Sequence, residues 1–191
     1  PEDSDNFDQL ITFADMAMLH AERARKERIC WFNKDMEDRA HDDLTLEKLV
    51  EQGLEYDYFF MMYQPQFMMD GKTVRGFESL IRMRTPEGQL VSPGRFIPVF
   101  ERNGFITKLD SFVVRKVCED IIRWEKEGIP IVPVSINVSR RDYLETDWMK
   151  SQIALIDRFN INHSNIHFEV TESAFSDNPE GIAETIRKLH N

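Results

Sequence analysis

The chain has 191 residues, 41% hydrophobic and 30% charged, enough for one globular domain with an appendage. Its 24 Lys and Arg against 34 Asp and Glu leave a net charge of -10, which argues against a long nucleic acid as partner, because such binding depends on phosphate neutralisation. No apolar run approaches the ~20 residues that cross a membrane, and the acidic start at 1–6 fits neither a signal peptide nor a lipidation site.

Pro at position 1 points to a stretch taken from something longer. From 7 to 25 the apolar residues Leu10, Ala14, Ala17 and Ala21, flanked by Ile11 and Met18, follow the period of an amphipathic helix. Ile29, Cys30, Trp31 and Phe32 form a short apolar run that reads as a strand. The charged stretch 33–55 reads as a solvated helix joining two domains, too polar for a core role. At Tyr56 the composition changes. Two strand-like runs, 58–69 and 73–83, flank Asp70-Gly71, the pattern of an antiparallel hairpin, with Pro65 marking the end of the first strand.

Ser92-Pro93 then opens a helix as cap and first-turn proline. The run 107–127 carries Leu109, Val113, Val117, Ile121 and Trp124 on one helical face, and Gly128 ends it. Residues 131–138 read as a buried strand, Ser139 to Asp142 as a capping box for the next helix, 167–171 as another strand, and Asn178-Pro179 as the start of a last helix. This alternation means βαβ units around a parallel sheet, an α/β fold. Cys30 and Cys118 lie in no zinc or redox spacing and read as reduced thiols of a cytoplasmic protein. The five histidines are scattered and suggest no ligand cluster.

Functional residues of parallel α/β folds gather at the carboxyl ends of strands. Glu78 lies in one candidate strand, Asn137 ends a second, and Glu169 lies in a third with Glu172 just beyond. Two carboxylates and an amide oxygen at one mouth would suit Mg2+ or Mn2+; the competing reading is that each caps a helix or solvates a loop. A carboxylate within an apolar strand needs compensation, which favours the first reading for Glu78 and Glu169. Arg82, four residues after Glu78, shares its strand face and is placed either to hold a phosphate or to pair with a neighbouring carboxylate. Gln64 alone is uninformative. Met61-Met62 and Met68-Met69 read as core filler.

Tyr63-Gln64-Pro65, Gly76-Phe-Glu-Ser-Leu-Ile-Arg82, Ser92-Pro-Gly-Arg-Phe-Ile-Pro98, Ser135-Ile-Asn-Val-Ser139 and Phe168-Glu-Val-Thr-Glu172 follow one another in the order and spacing of the EAL family, which this half of the chain resembles. The signature stands as Glu78-Ser79-Leu80, with Ser for the usual Ala. Leu80-Ile81-Arg82-Met83 replaces the usual Leu-Leu-Arg-Trp. Ahead of it, Ala14 to Ala21 resembles the last helix of a GGDEF domain, and Ile29 to Phe32 its final strand; the GGDEF signature itself is absent, so no cyclase activity is expected of this chain. The expected division is 1–33 as GGDEF remnant, 34–55 as helical linker and 56–191 as the first half of an EAL domain.

The resemblance implies a partial (β/α)8 barrel whose first strand is antiparallel to its neighbour. It further implies metal-dependent hydrolysis of cyclic di-GMP to linear pGpG by a bacterial signalling protein. Glu78, Asn137 and Glu169 are implied as metal ligands for Mg2+ or Mn2+, with Ca2+ inhibitory. Gln64, Leu80 and Arg82 are implied as substrate contacts, and Glu172 as the residue that steadies a catalytic loop. The family's Asp-Asp pair, Lys and later Glu would fall after Asn191, so turnover is expected of a longer parent and not of these residues alone. A sensor that binds cyclic di-GMP without cleaving it, or a dimerising scaffold, is the competing expectation. Ser79 beside a ligand and Met83 in place of an aromatic each raise a question, the latter about packing or a dimer contact. An unpaired strand edge would favour a homodimer or swapped oligomer. The parent is expected in the cytoplasm, with any membrane tether upstream.

Overall fold

A computed structural model describes residues 4–24, 29–170, 180–183 and 187, apart from the side chains of 22–24, 37–44 and 140. The chain divides into two units, Pro1–Glu51 and Gln52–Asn191.

In the first unit the predicted amphipathic segment is helix α1 (Phe7–Ala24). Asn6 starts it, its side-chain oxygen accepting from the Asp8 N–H at 2.9 Å. Ile29 to Phe32 do not form the expected strand. Among the described residues this unit holds no other strand, so the run has no ladder to join, whatever its β-propensity. Phe32 instead stacks on Phe13 with ring centroids 4.0 Å apart, while Ile29 and Trp31 are exposed. Helix α2 (Lys34–Gly53) covers the charged stretch and starts at Asn33, which accepts from the Met36 N–H. The expectation that it lacks any core role is corrected by Met36, Leu46 and Val50, all buried. Leu46 and Val50 are one helical turn apart and share a face, so a polar helix still carries a narrow apolar stripe.

The second unit is built on a mixed sheet in the order β1-β2-β4-β5, with a short strand β3 against β2. Strands β1 (Phe59–Phe67) and β2 (Val74–Arg84) form the predicted hairpin. Pro65 does not end β1; it lies inside it, opposite Phe77. β1 is an edge strand, where a residue without an N–H costs no ladder bond if that side faces away from the sheet. β3 (Leu90–Val91) returns along β2, and α3 (Pro93–Arg102) follows with Pro at its start; the Ser92 side chain makes no capping hydrogen bond. Helix α4 (Ile106–Lys126) ends as expected at Gly128, whose φ of 72° suits a residue without Cβ.

β4 (Val134–Asn137) is shorter than the predicted 131–138 run. Pro130 and Pro133 lack donors, so the ladder begins only after them. α5 (Arg140–Leu144) and α6 (Thr146–Arg158) lead through a 3-10 turn, His163–Asn165, into β5 (Ile166–Glu169). β2, β4 and β5 run parallel, and β1 is antiparallel to β2. This is the open, mixed α/β sheet expected of a partial barrel with a reversed first strand. The predicted helix starting at Asn178 lies mostly outside the described residues.

One face of the sheet carries the core. Phe59 meets Phe96 and Phe100 of α3 and Phe112 of α4 edge-on, at 5.3, 5.5 and 6.3 Å. Tyr63 and Phe77 pack on Trp124, and Trp148 on Phe168. Val114, Val117, Cys118, Val134 and Ile136 are fully closed off from solvent. Gly76 lets β2 pass close to the chain entering β4: a Cβ there would lie 2.7 Å from the Pro133 carbonyl oxygen, which accepts the Phe77 N–H at 2.9 Å.

Candidate functional site

Side chains alternate across a sheet, and residues opposed in register share a face. β1 sets Gln64 opposite Glu78, Met62 opposite Leu80 and Phe60 opposite Arg82. β2 sets Glu78 beside Ser135 of β4, and β4 sets Asn137 beside Glu169 of β5. The register therefore puts Gln64, Glu78, Leu80, Arg82, Asn137 and Glu169 on a single face, the one turned away from α3 and α4. Glu172 lies outside the described residues.

The centre of this face is a direct contact. The Asn137 Nδ2 donates to Glu78 Oε1 at 2.9 Å, joining two strands through side chains 59 residues apart. Asn137 is exposed; Glu78, Leu80, Arg82 and Glu169 are half-buried; Gln64 is exposed. The Arg82 guanidinium donates to the Ile81 carbonyl at 2.9 Å, and among the described residues it pairs with no carboxylate. The ion-pair reading of Arg82 thus has no partner here, and the remaining donors of the guanidinium stay available to an anion.

The donor set is two carboxylates and an amide oxygen, all hard ligands of the kind Mg2+ and Mn2+ take. Among the described residues no group of three or more His, Cys, Asp and Glu is arranged to hold a metal, so a cation at this face would depend on the Asn137 amide as well as on Glu78 and Glu169. The Asn137–Glu78 contact and the Asn137–Glu169 register, with neighbouring strands ~4.8 Å apart, bring the three into one group. In this sense the residues present fit a divalent cation.

All three departures from the expected signature, Ser79, Ile81 and Met83, fall on the other face. Ser79 is 3% exposed, and its hydroxyl donates to the Ser135 carbonyl at 2.8 Å, away from the Glu78 carboxylate. Met83 is fully buried, so it belongs to the core and presents no surface for a dimer contact.

Three residues near the site carried no assigned role from the sequence. Ser135 and His167, paired in register, lie on the site face one step below Asn137 and Glu169; counting back by two from those residues would have found them. Asp110 of α4 is 6% exposed and accepts from the Ser139 backbone N–H at 2.8 Å, just past Asn137. Its signal was a carboxylate inside the otherwise apolar face formed by Ile106, Val113, Val114 and Val117. The reciprocal half of the predicted capping box is supplied from there: Ser139 Oγ accepts from the Asp142 N–H at 3.3 Å, while the Ser139 N–H goes to Asp110 and not to Asp142. Burial pushes the Asp110 carboxyl up to about 7, against the opposing pull of its Ser139 bonds and with Asp142 adding to the rise.

The profile of the EAL domain matches residues 47–191, beginning within α2. The chain belongs to the EAL family. Among curated proteins it is 30% identical over 178 residues to the signaling protein YkoW of Bacillus subtilis, covering 93% of this chain and 22% of that protein. It is 29% identical over 189 residues to the cyclic di-GMP phosphodiesterase PdeR of Escherichia coli, covering 99% of this chain and 28% of that one. The chain thus spans about a quarter of the length of these EAL relatives. Among solved structures, the c-di-GMP complex of the PaMucR phosphodiesterase superposes with a TM-score of 0.71 at 24% identity, over 76% of this chain and 59% of that chain. That likeness is one of fold. Among the described residues, no helix of this EAL chain is long and apolar enough to cross a membrane.

Proposed function

We propose that the chain supplies half of a metal-dependent site that hydrolyses cyclic di-GMP to linear pGpG in a bacterial signalling protein. The observation that carries this reading is the gathering of Glu78, Asn137 and Glu169 on one sheet face, with the Asn137–Glu78 hydrogen bond at its centre. Membership of the EAL family and the names of the relatives supply the substrate class.

In this reading Glu78, Asn137 and Glu169 hold Mg2+ or Mn2+. A divalent ion held there would supply Lewis-acid polarisation of an attacking water and of the scissile phosphate. Asn137 would offer its amide oxygen, and Glu78 and Glu169 would balance the ion's charge. Arg82 holds a non-bridging phosphate oxygen through its free donors, Gln64 bonds the ligand's polar edge, and Leu80 gives an apolar contact beside it. Glu172 steadies a catalytic loop. The segment 1–33 is read as the tail of a GGDEF domain, 34–55 as linker, and a homodimer as the working assembly.

The test is calorimetric titration of the chain with cyclic di-GMP in the presence of Ca2+, which occupies such sites without supporting turnover. Binding that is lost in Glu78→Ala and in Arg82→Ala supports the assignment. Binding unaffected by either substitution refutes it. Incubation of a full-length protein containing this chain with cyclic di-GMP and Mg2+ or Mn2+, followed by chromatography for pGpG, separates hydrolysis from a sensor that only binds.

A further inference from the structure

Asn137 is held from two directions just past its own position. The next N–H, that of Val138, donates to the Glu169 carbonyl of β5 at 3.0 Å, and the Val138 side chain is buried. The N–H after that, of Ser139, donates to Asp110 Oδ2 of α4 at 2.8 Å. One clamp comes from the sheet and the other from the helix layer beneath it.

Asp110 is an improbable choice for a merely space-filling position. It is 6% exposed within the apolar face of α4, where an unpaired carboxylate would be costly. Its partner Asp142 is 1% exposed and takes one bond from the Thr107 hydroxyl, at 2.6 Å to Oδ1. Asp142 Oδ2 is buried and receives no donor from the other described residues. Asp142 adds to the upward push that burial gives the Asp110 carboxyl. The pair, with Ser139 and Thr107, ties α4, the end of β4 and α5 into one buried network.

We propose that Asp110 is a positioning residue for the candidate site: through the Ser139 N–H its carboxyl fixes the β4–α5 junction and thereby holds the Asn137 amide against Glu78. The inference rests on the reading of Asn137 and Glu78 as site residues, but its first test does not need the metal.

The experiment is nuclear magnetic resonance on the 15N-labelled, metal-free chain, following the Asn137 side-chain amide. Asn137→Ala assigns the signal, and Glu78→Ala gives its position when the bond to Glu78 is absent. Asp110→Ala is expected to move the signal most of the way toward the Glu78→Ala position. Asp110→Asn, whose amide oxygen can still accept from the Ser139 N–H, is expected to leave it in place. An Asp110→Ala chain that melts earlier but keeps the wild-type Asn137 signal overturns the proposal, because the residue then serves stability alone. Should Asp110→Ala fail to fold, Ser139→Pro takes its place. The Ser139 φ of -62° accepts proline, which removes the backbone donor together with the hydroxyl that accepts from the Asp142 N–H, and Ser139→Ala, which loses the hydroxyl alone and keeps the donor, is its control. Failure of both variants to fold would also overturn it. A Mn2+ titration followed by electron paramagnetic resonance then separates this inference from the functional reading. Asp110→Ala should weaken binding about 10- to 100-fold, the usual range for groups that orient ligands. A wild-type chain that ignores Mn2+ while the Asn137 signal behaves as expected would sink the metal reading and leave the positioning role standing.

Discussion

Replacing Ser79 by alanine restores the residue usual in the family and separates two accounts of that position. Ser79 adjoins Glu78 in sequence, so a hydroxyl there looks like an intrusion on the site. In the structure the hydroxyl is 3% exposed and donates to the Ser135 carbonyl at 2.8 Å on the core side of the sheet. Ser79→Ala removes one oxygen and one hydrogen bond, with no larger cavity. The net value of such a bond is about 1 kcal/mol once desolvation of the hydroxyl is counted. For a unit of this size that corresponds to a fall in Tm of roughly 3 °C. The carboxylate of Glu78 points to the opposite face, so affinity for Mn2+ or cyclic di-GMP should stay within about twofold of wild type. Thermal melts by circular dichroism and titration calorimetry on the same preparations measure both quantities. A change in affinity of about tenfold, worth ~1.4 kcal/mol, with an unchanged Tm would refute the reasoning. The hydroxyl would then act on the site and not on the core.

Phe100→Ala should cost about 3–5 kcal/mol, since the ring is 1% exposed and packed edge-on against Phe59; denaturant unfolding checks this. Tyr63→Phe should cost about 1 kcal/mol, because the phenol donates to Asp120 at 2.6 Å while Arg123 remains to hold that carboxylate; the same unfolding assay reads it. The Asp110 carboxyl is raised from 3.8 to about 7 chiefly by burial, with Asp142, Ser139 and Thr107 around it. The native state therefore binds more protons than the unfolded state across that window, and this group's contribution to stability is full below 3.8 and lost as pH rises through about 7. Asp110→Asn, which cannot titrate, should flatten that part of the pH–stability curve; a wild-type curve that instead rises between those pH values relative to the variant would contradict the assignment.

What the sequence made legible was whatever depends on short-range pattern. Asp70-Gly71 between two apolar runs specified the hairpin, and α4 followed from a long apolar stripe closed by Gly128. The strand-end rule singled out Glu78, Asn137 and Glu169, and the register brings all three to one face. What was not legible depends on partners distant in the chain. Ile29 to Phe32 have strand composition but no described neighbour in their unit to complete a ladder. Pro65 looked like a stop because a ladder bond was assumed on both sides, whereas an edge strand needs only one. Asp110 interrupts an apolar helix face, but the reason for it lies 29 residues away, in the N–H of Ser139. Glu172 lies outside the described residues.

The two faces of β2 explain why this chain departs from the family signature where it does. Side chains at 78, 80 and 82 share the site face, and those at 77, 79, 81 and 83 share the core face. All three departures, Ser79, Ile81 and Met83, are odd-numbered in that strand and lie on its core face, not on the face open to a ligand. The core has absorbed each in its own way: a hydroxyl finds the Ser135 carbonyl, Ile81 packs against the core residues, and a flexible thioether fills a space sealed from solvent. The even-numbered positions meet a different demand, because a half-buried carboxylate and guanidinium must be balanced by partners on the open side of the sheet. Among the described residues Glu78 has one such partner in Asn137 and Arg82 has only a backbone carbonyl, which leaves both with capacity for a cation and an anion brought together. A metal-bound phosphodiester presents that combination of charges, whereas a scaffold with no ligand would have no use for a guanidinium and two carboxylates held apart on one face.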